Sequence, residues 1–159
     1  MNDQFTSIAA DTMNEIWGRK PRPFQLLIIS HILCTMAGTI KPEPVLLVQS
    51  TGSGKSSIPL TCSIVDGGLT IIIENTLALS SDQSSKVKCQ ANTSNKNVQS
   101  FQLDLFKSAE QQQQLPLFII QHNNINKDTS FILFTLPETL LDATWVDHIK
   151  QCISKSILC

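Results

Sequence analysis

Val45-Leu46-Leu47-Val48-Gln49-Ser50-Thr51-Gly52-Ser53-Gly54-Lys55-Ser56-Ser57 is an apolar run that passes into a glycine-rich turn and then into Gly-Lys-Ser. A buried strand, a flexible turn and a helix start in that order make a cradle for phosphate groups. Backbone N–H groups of such a loop, and of the helix that follows, converge on an anion. Gly52 and Gly54 permit backbone conformations that a side chain would block. Lys55 would place a positive charge on the β- and γ-phosphates, and Ser56 would offer its hydroxyl to Mg²⁺. Thr51, Ser53 and Ser57 complete the candidate nucleotide-binding set. The general pattern has Gly where this chain has Gln49. The plain alternative is a Ser/Gly-rich surface turn with a solvated Lys.

Working outward, the chain divides into segments of alternating helical and strand character. Residues 4–18 place Phe5, Ile8, Ala9, Met13, Ile16 and Trp17 on one helical face, with Gly18 as the stop. Arg19-Lys20-Pro21-Arg22-Pro23 is a basic connector, and Pro23 suits the first turn of a second helix reaching about Ala37, with Gly38 as its end. That helix is apolar nearly all round, which predicts burial. Residues 45–48 are predicted as a strand, 55–65 as a helix, 66–68 as a turn and 69–73 as a β-branched strand. A helix over 77–88, a polar turn over 91–96, a strand over 98–103 and a helix over 105–114 follow. Strands over 117–120 and 131–134 and a last helix over 142–157 complete the pattern. Strands alternating with helices predict an α/β fold with a parallel sheet.

Composition sets limits on function. A length of 159 residues suits one domain, 42% hydrophobic content supplies a core, and a net charge of −1 gives no global attraction to nucleic acid. The cysteines, Cys34, Cys62, Cys89, Cys152 and Cys159, lack C-x-x-C spacing and a His at ligand spacing, which favours thiols in a reducing compartment over a metal cluster. No apolar run is long enough to span a bilayer and no secretory pattern opens the chain, so the expectation is an intracellular protein without membrane association, nuclear in a eukaryote and cytoplasmic otherwise.

Three further motifs flank the loop. Arg22-Pro23-Phe24-Gln25 brings a Gln amide that can pair with the N6 and N7 edge of adenine, or can be a solvated residue at a helix start. Thr70 to Gln83 is a strand, a polar turn and a helix start, in which Asn75, Thr76 and Ser80 either meet a nucleic-acid backbone or serve as ordinary caps. Phe134-Thr135-Leu136-Pro137-Glu138-Thr139-Leu140-Leu141 either caps a helix or presents polar groups to a nucleic-acid strand.

In order and spacing these motifs resemble the first motor domain of superfamily 2 helicases, and among them the RecQ-like DNA helicases. Arg22 and Gln25 match that family's Arg-Pro-x-Gln element, which grips adenine, and Trp17-Gly18 is similar to its upstream Phe-Gly. Thr70 to Gln83 is similar to the next motif, which ends in Asp-Gln. Residues 134–141 resemble the Thr-Pro-Glu-x-Leu motif with Leu136 inserted.

The resemblance implies a P-loop NTPase with a RecA-like parallel sheet flanked by helices, and ATP and Mg²⁺ as cofactors. It divides the chain into an N-terminal helix and basic connector (1–22) and a partial helicase ATP-binding domain (23–159). The whole protein would couple ATP hydrolysis to 3′ to 5′ DNA unwinding. Asp-Glu does not occur in this sequence, so the family's Asp-Glu-x-His motif is expected beyond Cys159. No catalytic carboxylate is therefore assigned, and the segment alone is expected to bind DNA weakly or not at all and to be inactive as a helicase. The alternatives are a non-motor nucleotide-binding or interaction fragment and a truncated gene product without activity.

Overall fold

The computed structural model describes residues 3–93, 97–103, 129–141, 146, 147 and 150. Helix α1 spans Asp3–Trp17 and buries Ala9, Thr12, Met13 and Ile16, the i, i+3, i+4, i+7 stripe expected of an amphipathic helix. It ends at Gly18, whose φ of 59° suits glycine and whose N–H donates to Asn14 O. Helix α2, Pro23–Met36, begins with proline at its first position, where a missing N–H costs nothing, and closes before Gly38 at φ 68°. Its burial is one-sided: Ile29 and Leu33 are in the core, whereas Leu27 is 56% exposed. The all-round apolar pattern overstates how much of this helix is covered.

Helix α3 spans Ser57–Asp66. Pro59 sits in its first turn, where its N–H would have no intrahelical acceptor. Two successive glycines, Gly67 (φ 76°) and Gly68 (φ 73°), turn the chain directly from α3 into strand β1, Gly68–Ile73. Helix α4 spans Leu77–Thr93, strand β2 Asn97–Gln102, strand β3 Thr129–Thr135 and the short helix α5 Pro137–Leu140. Residues 91–93 extend α4 instead of turning, since no Gly or Pro stops the helix there.

The sheet has the order β1-β3-β2 with both pairings parallel, Ile72 opposite Phe134 and Ser100 opposite Ile132. Parallel strands need cover on both faces, and every residue of β3 is buried. Leu60 of α3 and Val87 of α4 pack with Ile132 and Phe134 over one face. Ser130 Oγ, on the same face, donates to Ser63 O at 2.8 Å. A polar seam joins α4 to β2 through Ser84 and Ser100 (3.0 Å) and through Gln102 Nε2 donating to Ser80 Oγ (3.0 Å). Helices α1 and α2 pack on α3 through Ala9, Met13, Ile29, Leu33, Ile58 and Cys62.

The strand expected over 45–48 does not form. The segment is extended but pairs with no described strand; Leu47 rests against the helical core, while Leu46 is 90% and Val48 81% exposed. An apolar run gives strand propensity but does not by itself bring the segment to a sheet edge, and here it stays apart from the outer edges of β1 and β2. The predicted helix over 105–114, the strand over 117–120 and most of the helix over 142–157 lie outside the described residues, as do Cys152 and Cys159. No helix among the described residues is long and apolar enough to cross a membrane.

Two outcomes follow from this packing. Phe134→Ala is expected to lower the unfolding free energy by about 3–5 kcal/mol, read from urea titration, because it empties a fully buried site. Burial, and then the Asp66 carboxylate, push the Cys62 thiol from 9.0 up to about 12, against a weaker opposing bond to the backbone. The folded state therefore holds that proton where the unfolded state releases it, so stability falls as pH rises from 9.0 toward about 12. Cys62→Ala is expected to flatten that part of the stability profile.

Candidate functional site

The loop 51–56 joins the extended segment to α3 and takes its shape from three sets of contacts. Gly52 and Gly54 adopt φ of 77° and 86°, the left-handed region that favours glycine. Lys55 Nζ folds back to donate to Gln49 O and Ser50 O, each at 2.8 Å, and so closes the loop from within. Gln25, on the first turn of α2, closes it from outside. Its Nε2 donates to Gly54 O at 2.9 Å and Ser57 Oγ at 3.0 Å, and its Oε1 accepts from the Arg22 N–H at 2.8 Å. The network runs on: Ser57 Oγ donates to Gly54 O (2.7 Å), Thr61 Oγ1 to Ser57 O (2.7 Å), and Trp17 Nε1 to Thr61 Oγ1 (3.3 Å).

With the loop so held, several donors are left over. The N–H groups of Gly52, Gly54, Lys55 and Ser56 meet no acceptor among the described residues. The Ser53 hydroxyl is buried and also without a partner. A buried, unsatisfied hydroxyl costs stability unless a ligand or water meets it. Of these residues Gly52, Ser53, Gly54 and Ser56 border a cavity of about 260 Å³. Gly52, Ser53, Gly54, Ser56 and Ser57 form its polar wall; Met13, Trp17 and Leu60 form an apolar wall. Arg19, Lys20, Arg22 and Lys86 bring four cationic side chains to it, and Gln25 and Gln83 add amides. Arg19, Lys20 and Arg22 are exposed and make no ion pair among the described residues, whereas Lys86 pairs with Asp82 one turn away on α4. Such a grouping of amides and cationic residues has the chemistry that suits an anion.

The expected nucleotide residues therefore come together, with different roles for two of them. Arg22, Gln25, Gly52, Ser53, Gly54, Ser56 and Ser57 line the cavity; Thr51 is exposed beside it, and Lys55 is turned onto the loop carbonyls. Gln25 is 5% exposed and all its amide hydrogen-bonding positions facing the loop are in use, so it is a structural tie and not the solvated residue of the plain alternative. The exposed Ser56 hydroxyl makes no cap bond to α3. Among the described residues no cluster of three His, Cys, Asp or Glu forms a metal cage.

The expected nucleic-acid residues are not equivalent. Asn75 is exposed. Thr76 is exposed and caps α4, its Oγ1 accepting the Leu79 N–H at 3.3 Å. Ser80 is fully buried under β2 with its hydroxyl engaged by Gln102, which removes it from any surface contact. Glu74, between β1 and these residues, has its carboxyl raised by partial burial.

Sequence reasoning did not single out Arg19, Lys20, Gln83 or Lys86 as site residues. The basic connector was visible as a charge run, and Asp82 and Lys86 stand at the i, i+4 spacing of a helical pair. Only the fold shows that α4 brings Lys86 to the same hollow as the connector. Comparison with protein-family models and with curated proteins finds no match.

A Cβ at Gly54 would lie 2.8 Å from Gln25 Nε2, in a conformation that L side chains rarely adopt. Gly54→Ala is therefore expected to cost about 1–3 kcal/mol by thermal or urea unfolding. In Gln25→Ala/Gly54→Ala the steric part of that cost should disappear, leaving the backbone strain.

Proposed function

We infer that this chain binds a nucleoside triphosphate through the loop 51–57, as the ATP-binding part of a P-loop NTPase with a RecA-like sheet. The observation that carries the reading is the cavity bordered by loop amides with no acceptor among the described residues, by the buried, unsatisfied Ser53 hydroxyl and by four cationic residues. Gly52, Ser53 and Gly54 would hold phosphate, Ser56 would bind Mg²⁺ alongside it, and Lys55 would exchange its loop carbonyls for phosphate oxygens. Mg²⁺ would neutralise charge between phosphates. Arg22 would meet the base, with Trp17 bordering the same cavity and Gln25 keeping the loop in register.

The motif order supports placing this unit in a RecQ-like DNA helicase that unwinds DNA 3′ to 5′. Asn75 and Thr76 are the DNA contacts that reading retains. Hydrolysis would need carboxylates this chain does not supply in an Asp-Glu pair. One observation favours the second reading, a nucleotide-binding module without motor activity: the segment 45–48 that should seat the loop on the sheet lies outside it.

Isothermal titration with ATP and Mg²⁺ tests the reading. Saturable binding weakened about tenfold or more by Lys55→Ala is expected, since a charge-assisted bond to phosphate is worth about 1.5–3 kcal/mol. Absence of binding to the intact chain would remove the proposal. DNA-stimulated turnover would separate the motor from the module.

A further inference from the structure

Lys55 is bonded to Gln49 O and Ser50 O and does not line the cavity, so the cations that do line it come from elsewhere in the chain. Three belong to the connector between α1 and α2. The fourth, Lys86, comes from α4, which also brings Gln83 to the cavity. We propose that Lys86 is a specificity-determining residue that reads the polyphosphate of the bound nucleotide, and that Asp82 competes with the ligand for its ammonium. This assignment rests on the nucleotide reading given above.

The geometry has three parts. The Lys86 side chain is 58% exposed and its partner Asp82 55%, so the ion pair is a solvated one that breaks at little cost. The far side of α4 is fixed: Ser80, Ser84 and Val87 are buried, and Ser80 and Ser84 are bonded to β2. The helix therefore cannot rotate to withdraw Lys86 from the cavity. Finally, Lys86 lies at a hollow bordered by three cations that make no ion pair among the described residues, and an ammonium there is relieved of like-charge repulsion when a polyanion enters. A triphosphate, with more negative charge than a monophosphate, gains more from that fourth cation.

The test is a double-mutant cycle on the full chain, with ATP and AMP as titrants in Mg²⁺ and circular dichroism as the check on folding. Lys86→Gln is expected to weaken ATP by ~3–10-fold and AMP by less than ~2-fold, a solvated charge-assisted contact. Asp82→Asn is expected to tighten ATP by ~2–5-fold, because the ammonium is no longer shared. In Asp82→Asn/Lys86→Gln that gain should vanish, leaving the affinity of Lys86→Gln. A purely structural surface pair would leave ATP affinity unmoved in all three variants, and that result overturns the proposal while the nucleotide reading stands. Equal losses for ATP and AMP in Lys86→Gln overturn the polyphosphate assignment. A gain from Asp82→Asn that persists in the double variant overturns the competition. An intact chain that binds neither nucleotide overturns the reading and the proposal together.

Discussion

Strand β3 is hydrogen-bonded on both sides and buried at all seven of its residues, and the described architecture is arranged to satisfy that demand. A strand without access to water must give every backbone N–H and C=O a partner inside the protein. Parallel neighbours at β1 and β2 do so along its edges. On one face Leu60 and Val87 close over Ile132 and Phe134, which fixes where α3 and α4 run. Once α3 is fixed, its N-terminal turn and the loop before it are fixed as well. The Gly67-Gly68 turn ties α3 directly to β1, so the loop stands one helix away from the rigid centre of the molecule.

The loop is held by polar contacts and not by packing. Gln25 donates to Gly54 O within it, and Lys55 donates to Gln49 O and Ser50 O at its start. Occupying carbonyls while leaving amides unpaired gives the loop a positive inner surface without placing a formal charge there. The Thr61 and Trp17 hydrogen bonds extend this arrangement into α1, so the apolar wall of the cavity and its polar wall belong to one connected network. Such networks are sensitive to their weakest member, because one broken bond leaves buried groups unsatisfied.

Much of this was legible in the sequence where the signal is local. Pro23, Gly18 and Gly38 set the ends of α1 and α2, and the β-branched run 69–73 and the apolar run 131–134 gave strands close to their observed limits. What was not legible depends on partners distant in the chain. Residues 45–48 have strand composition, but whether a strand forms depends on the chain bringing them alongside a sheet edge. Ser80 was read as a surface group, although Ser80, Ser84 and Val87 fall at i, i+4 and i+7, which marks the face that α4 turns inward. The charge of the site was dispersed over a connector and a helix more than sixty residues apart, which no local window can sum.

The exposed stretch 41–50 has a mechanical meaning for the whole molecule. It links α1 and α2 to α3 and the sheet, yet among the described residues it adds only Leu47 to the apolar core that holds α1 and α2 on α3. That cohesion resides in Ala9, Met13, Ile29, Leu33, Ile58 and Cys62, and in the Gln25 contacts across to Gly54 and Ser57. Covalent and noncovalent continuity are therefore separable at this point. A protease that severs the stretch would leave two peptides still bound as one particle, with the loop's outer tie intact.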